Sequence, residues 1–184
     1  MINVYDRIYG QSKEYHGHYK SSVYFPIWLR AIKWVKEPVL DIGCGPGQFA
    51  EMLFDHDIRT YTGWDISQVA INMAQSKKLG YAFRCTDVFD EDIEPSYKTV
   101  VLLELLEHLE DDIELVRRIP PGMRVVFSVP NFDSETHVRI FLSENAIHKR
   151  YGTLLDIKES YIHKFSDNSK IYLYDAYRCT TNME

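Results

Sequence analysis

Basic residues are the first thing this 184-residue chain is short of: 21 Lys and Arg stand against 27 Asp and Glu, for a formal net charge of −6. No run of Lys or Arg stands out, so a phosphate backbone is a poor partner and nucleic-acid binding is not expected. Cysteine is scarce too. Cys44, Cys85 and Cys179 are odd in number and widely spaced, which excludes a disulfide framework and a zinc-cysteine pattern and fits a reducing cytoplasm. No apolar run reaches membrane-spanning length, and Asp6, Arg7, Lys13 and Glu14 interrupt any N-terminal targeting core. Repeats, low-complexity blocks and linkers are also lacking. Residues 1–184 therefore read as one domain, long enough for a full core.

What the chain does have is concentrated in Val39 to Gly47, VLDIGCGPG. A short apolar run closes on Asp41 and Ile42, and Gly43, Gly45 and Gly47 follow at alternate positions. Glycine lets the backbone turn sharply and lets a ligand approach without a Cβ in the way. Strand, glycine loop and helix in this order hold nucleotide-like ligands at the carboxyl ends of an open α/β sheet.

The rest of the chain supplies that sheet. Apolar residues at helical spacing from Tyr24 to Val35 predict a helix, which Pro38 closes. Strands are predicted at about 38–42, 59–64, 81–85, 99–103 and 123–129. Helices are predicted at 48–56, from the Ser67 N-cap to Gly80, after strand four as far as Arg118, and at 143–151. The uninterrupted apolar run Thr99 to Leu103 suits a buried parallel strand. Thr153–Tyr161 and Ile171–Arg178 both alternate, and Asp167-Asn168 marks a turn between them, so an antiparallel hairpin ends the sheet. Thirteen tyrosines are many for this length, and several lie at the two ends, outside the central sheet. The aromatic density of Tyr5 to Tyr24 predicts that residues 1–24 form a lid; the alternative is a loose tail.

The loop's chemistry narrows the ligand. A dinucleotide fingerprint needs Gly-x-Gly-x-x-Gly, but here the third glycine falls one residue early, at Gly47, and Gln48 takes the required place. The Gly-Lys-Ser/Thr of a phosphate loop is missing. Asp41 would repel a pyrophosphate and attract an ammonium or another cation.

On these residues the chain resembles the class I S-adenosylmethionine-dependent methyltransferases. Asp41-x-Gly43-x-Gly45-x-Gly47 looks like their first motif. Tyr-Thr-Gly-Trp-Asp65-Ile66-Ser67 looks like the end of their second strand, and Thr86-Asp87-Val88 like the adenine position after the third. Glu104-Leu-Leu-Glu107-His108 looks like the Glu-Val-Leu-Glu-His block after the fourth, and Ser128-Val-Pro-Asn131 follows the fifth. The resemblance covers roughly residues 38–131. It implies an α/β, Rossmann-like three-layer sandwich with a seven-stranded, mostly parallel sheet in the order 3-2-1-4-5-7-6, strand seven antiparallel. It also implies S-adenosylmethionine as cofactor, S-adenosylhomocysteine as product, and a small-molecule acceptor methylated on O, N or C. A second subunit completing the pocket, as a homodimer, is compatible with so compact a chain.

Each site residue carries two readings. Gly43, Cys44, Gly45 and Gly47 form either a cofactor loop or a tight structural turn, and no nucleophilic role is expected of Cys44. Asp41 sits near the methionine amino group or caps the following helix. Asp65 grips the ribose hydroxyls, as an acid some twenty residues past the loop does, or serves the dipole of the Ser67 helix. Asp87 meets the adenine amino group or is a solvated acid. Ile66 and Val88 wall the adenine or belong to the core. Glu104 lines the cofactor site or satisfies nearby backbone amides. His108 is the candidate general base; its alternative is a surface histidine packed on an aromatic ring. His137 and Arg139 touch the acceptor or are structural, Arg139 pairing with an acid such as Glu135. Two other functions stay open: a cofactor-binding module without chemistry, and a nicotinamide oxidoreductase, against which the early third glycine argues.

Overall fold

The computed structural model of the protein describes residues 4–180. The N-terminal segment contributes α1 (Val4–Gln11), two short 3-10 turns and α2 (Phe25–Ala31). Strands and helices then alternate: β1 (Val39–Ile42), α3 (Gln48–Asp55), β2 (Tyr61–Asp65), α4 (Gln68–Ser76), β3 (Ala82–Cys85), β4 (Thr99–Leu103), α5 (Asp112–Arg118), β5 (Arg124–Pro130) and α6 (Glu144–Tyr151). The hairpin β6 (Leu155–Lys164) and β7 (Lys170–Arg178) closes the chain. The sheet order is β3-β2-β1-β4-β5-β7-β6, as the resemblance implies. The first five strands pair in parallel, and β7 runs antiparallel to both β5 and β6.

Period-two alternation divides the central strands between two cores. Leu40, Ile42, Val100, Leu102, Val125 and Phe127 face one side, where Leu115 and Val116 of α5 and Ile147 and Tyr151 of α6 cover them. Val39, Val101 and Val126 face the other, covered by Ile27 and Trp28 of α2, Phe49 and Leu53 of α3, and Tyr19. A sheet buried on both faces leaves its carboxyl-terminal ends as the place where loops can meet a ligand. Among the described residues no helix is long and apolar enough to cross a membrane.

Several predicted elements shift, among them α4, which ends at Ser76 rather than Gly80. The helix expected over 24–35 ends at Ala31. Turns bonded three residues back continue it to Val35, so Trp34 and Val35 stay buried while the backbone bends toward β1. The second strand starts at Tyr61 rather than Arg59, because the amides of Arg59 and Thr60 donate to the Glu37 carboxylate at 2.6 and 2.8 Å. The sixth strand runs later than 153–161, and a register shift between Ile157 and Glu159 breaks the alternation that marked it.

Asp112, at the start of α5, is fully buried. It accepts two hydrogen bonds from Arg150 (2.5 and 2.7 Å) and one from the Tyr151 hydroxyl (2.6 Å), which fastens α6 to α5. Removing one member of such a set leaves the others without partners. Asp112→Ala is expected to lower unfolding free energy by about 3 kcal/mol, the lower end for a broken buried pair because Arg150 is partly solvated. Urea denaturation of variant and wild type measures this.

Candidate active site

The glycine loop is tied down by an acid from the next strand. Asp65, at the end of β2, accepts hydrogen bonds from the Gly45 amide (2.9 Å) and the Ser67 amide (2.8 Å), one on each oxygen. It is only 6% exposed, and burial raises its carboxyl to about 6 despite those two amides. Asp41, at 3% exposure, accepts from the Tyr61 hydroxyl at 2.7 Å. Burial lifts it to about 7, with Asp65 adding repulsion. Two acids thus converge under the loop. Gly43, Gly45 and Gly47 all have positive φ, the conformation that glycine alone adopts freely.

The other expected residues gather at the ends of β3 and β4. Asp87 turns one oxygen to the Phe89 amide at 2.9 Å. Val88 is buried, whereas Ile66 is 46% exposed, which a wall residue can be and a core residue cannot. Glu104 has φ +51, uncommon outside glycine and a mark of functional loops. Its carboxylate accepts from the Ser128 hydroxyl at 2.7 Å, and the same hydroxyl accepts from the Glu104 amide at 3.0 Å. So Glu104 is satisfied by a side chain of β5 rather than by nearby amides.

These groups surround a cavity of two lobes. One, of about 290 Å³, is lined by Asp65, Ile66, Asp87, Val88 and Phe89. The other, of about 220 Å³, is lined by Asp41, Cys44, Gly45, Gln48, Glu107 and His137, with Tyr15, Tyr24, Trp28 and Phe132 as an aromatic wall. Tyr5, Tyr9, Gly43, Glu104 and His108 line both. Gly47 lines neither. A Cβ there would lie 2.9 Å from that of Ala74, so this glycine serves the close packing of α3 on α4. The Cys44 side chain lies against Gly63 of β2, and burial pushes its thiol well up, which leaves it inert.

The N-terminal segment is fastened over the loop. Asp6 accepts from the Ser67 hydroxyl (2.6 Å) and the Val69 amide (3.1 Å) at the start of α4. Arg7 pairs with Glu135 at 2.7 Å. The side-chain amide Nε2 of Gln48 donates to the carbonyls of Glu14 and Gly17. Tyr9 places its hydroxyl 3.3 Å from where a Cβ on Gly45 would sit.

His108 lies at the junction of the lobes. Its Nδ1 is 3.1 Å from the Thr136 carbonyl, and a carbonyl only accepts, so the neutral ring carries its proton there and leaves Nε2 bare. Burial lowers its pKa to about 4, and His137 adds to the shift. The two rings meet edge to face at 4.8 Å. Arg139 does not pair with Glu135, which Arg7 takes. It donates instead to the carbonyls of Leu106, Leu109 and Glu110 and faces Asp112 at 3.4 Å. It clamps the loop that carries Glu104, Glu107 and His108.

Sequence reading misses Tyr9, Gln48 and the position of Glu107. Glu107 was visible as part of the Glu-Leu-Leu-Glu-His block, but its complete burial depends on where the loop after β5 lies. Burial and the neighbouring Glu104 push its carboxyl well up.

A glycine loop, two buried acids and a two-lobed cavity at the carboxyl ends of a Rossmann-like sheet form the arrangement in which such sheets receive a nucleoside-type ligand. Comparison with known proteins shows what the chain is similar to. Residues 39–120 match the model of a methyltransferase domain. The chain is similar to the ubiquinone biosynthesis O-methyltransferase of Coxiella burnetii, 33% identical over 103 residues, which is 50% of this chain and 43% of that protein. The enzyme of the same name from Pseudomonas entomophila is 26% identical over 135 residues, 64% of this chain and 58% of that one. The chain thus spans about half the length of the curated relatives it matches. Among solved structures, the N-methyltransferase NodS of Bradyrhizobium japonicum with S-adenosylhomocysteine has a TM-score of 0.65 at 19% identity, covering 96% of this chain and 93% of that one. The magnesium protoporphyrin IX methyltransferase ChlM of Synechocystis, with bound S-adenosylmethionine, has a TM-score of 0.67 at 20% identity, covering 95% and 89%. The [4+2]-cyclase SpnF has a TM-score of 0.69 at 14% identity, covering 85% and 82%. At these identities the structures establish the fold. Residues 39–120 thus match a methyltransferase domain, set in a sheet whose order is that of the Rossmann-like methyltransferase fold.

Asp41 generates a pH signature. In the unfolded chain an aspartate loses its proton near pH 3.9, whereas in the fold Asp41 keeps it up to about 7. Its contribution to stability is therefore full below about pH 4 and is lost as pH rises to 7. Asp41→Asn is expected to leave stability at pH 4 little changed and to raise it relative to wild type at pH 8. Thermal unfolding across that range checks the crossover.

Proposed function

We propose that the protein transfers a methyl group from S-adenosylmethionine to an O, N or C atom of a small-molecule acceptor, releasing S-adenosylhomocysteine. The observation that carries this reading is the position of Asp65, buried at the end of β2 and joined to the glycine loop, within a chain matching a methyltransferase domain over 39–120. Each Asp65 oxygen already accepts one amide, and each keeps a lone pair for a ribose hydroxyl. Asp87, Ile66 and Val88 would bound the adenine in the same lobe. Glycine-loop amides and Asp41 would meet the amino-acid end, where an ammonium favours the ionised Asp41.

The aromatic lobe would take the acceptor. Methyl transfer is an in-line displacement: the acceptor lone pair forms the new bond to the methyl carbon as the carbon–sulfur bond breaks, and the electron pair leaves with sulfur. Alignment and exclusion of water supply most of the catalysis. Residues 4–24 are suited to that as a lid, since Tyr5, Tyr9, Tyr15 and Tyr24 roof the cavity. His108, with Nε2 bare, is the candidate base for an acceptor that must lose a proton. Three free cysteines suit a reducing cytoplasm.

Calorimetric titration with S-adenosylhomocysteine and with NADH tests the reading, which predicts micromolar binding of the first and none of the second; the reverse would overturn it. Asp65→Ala should weaken S-adenosylhomocysteine by roughly 2 kcal/mol, about thirtyfold, the worth of hydrogen bonds to a charged group. Unchanged affinity in the folded variant would remove Asp65 from the ribose role. A screen of acceptors with labelled methyl donor then separates an enzyme from a module that only binds the cofactor.

A further inference from the structure

Glu107 is a fully buried acid without a hydrogen-bond partner among the described residues, its Oε1 facing His108 Nε2 at 3.8 Å. A buried acid left this way costs free energy whether it is charged or neutral. Beside it stand two histidines in a matching state. His108 Nδ1 faces the Thr136 carbonyl and His137 Nδ1 faces the Phe132 carbonyl, both at 3.1 Å. Each neutral ring must therefore carry its proton on Nδ1 and offer a bare Nε2. Donation of one ring nitrogen to a main-chain carbonyl is also how metal-bound histidines are oriented.

One ligand atom from each of Glu107, His108 and His137 lies within 4.8 Å of the other two. An ion at their centre asks each atom to close in by less than about 1 Å to reach the ~2.0–2.2 Å bonds of zinc. The three residues come from the loops after β4 and β5, and those loops are joined beside the cluster. The Val138 amide donates to the Glu107 carbonyl at 2.9 Å, and Arg139 grips the carbonyls of Leu106 and Leu109.

We infer that Glu107, His108 and His137 form a binding site for one divalent transition-metal ion, facing the aromatic lobe of the cavity. Two imidazoles and one carboxylate suit zinc, cobalt, iron or manganese better than calcium or magnesium, which prefer oxygen alone. Three protein ligands leave a coordination position open, as in catalytic rather than structural sites. All three residues line the lobe we assign to the acceptor, so the open position is available to an acceptor oxygen. What the ion does there rests on the methyl-transfer reading; where it sits does not. For an acceptor hydroxyl, coordination would ease loss of its proton to water before transfer, and His108 would then act as a ligand rather than as a free base.

The experiment uses the full chain, stripped with EDTA and dialysed. Zinc chloride is titrated by calorimetry, and cobalt chloride is followed by its visible absorption. The site predicts about one zinc per chain and cobalt bands of a nitrogen- and oxygen-ligated ion. His137→Gln is expected to weaken zinc by at least the ~10–100-fold that loss of even an outer partner costs, while S-adenosylhomocysteine affinity stays within about twofold. Glu107→Gln serves as a second variant, and the wild-type cobalt spectrum needs no variant to fold. Absence of stoichiometric binding, or zinc affinity unmoved by His137→Gln, overturns the inference. Zinc binding without S-adenosylhomocysteine binding would sustain this site and refute the methyl-transfer reading; the opposite result would do the reverse.

Discussion

The site depends on one carboxylate being held in two directions. Asp65 accepts from Gly45 in the loop after β1 and from Ser67 at the head of α4, so a single buried acid fixes the glycine loop, the end of β2 and the next helix relative to one another. Holding an anion there is costly, as its raised pKa records. The two amides offset part of that cost, and a ligand that brings further donors would offset more. Asp41 sets the same tension one strand over, relieved by the Tyr61 hydroxyl. A loop built this way is arranged before any ligand arrives, which lowers the ordering cost of binding.

What was legible in the sequence was whatever short-range pattern determines. The glycine loop, the Ser67 N-cap, the buried run of β4 and the terminal hairpin are local signals, and their order with the family resemblance carried the whole sheet. Asp65 was legible because a strand end about twenty residues past the loop is a fixed topological position. Glu107 was not, because nothing local tells that neither of its oxygens finds a partner. The packing of Gly47 was not legible for a similar reason: its neighbour is Ala74, a helix away. Of the readings open for Arg139, pairing with Glu135 does not occur: the fold gives Glu135 to Arg7 and turns Arg139 onto three carbonyls. The late start of β6 follows from a bulge that no alternation pattern can announce.

Fold alone leaves the reaction open, since a [4+2]-cyclase shares this architecture with methyltransferases. The two lobes divide the question. Apart from Tyr5 and Tyr9, the lobe around Asp65 and Asp87 draws its residues from the segment that matches the methyltransferase domain. The aromatic lobe takes Tyr5, Tyr15, Tyr24, Phe132 and His137 from outside that segment. The aromatic side of the second lobe thus comes mainly from the N-terminal segment and the loop after β5.

The anchoring of α1 has a consequence for its response to salt. Asp6 holds one wall of the cavity through α4, and Arg7 holds the opposite wall through Glu135. The two anchors are consecutive residues, so both act on a single turn of the helix. The Arg7–Glu135 pair is solvent-exposed and screened by salt, whereas Asp6 accepts from a hydroxyl and an amide at the start of α4. That turn therefore keeps its hold on α4 when salt loosens the other contact, and rising ionic strength should free the loop after β5 before it frees α1.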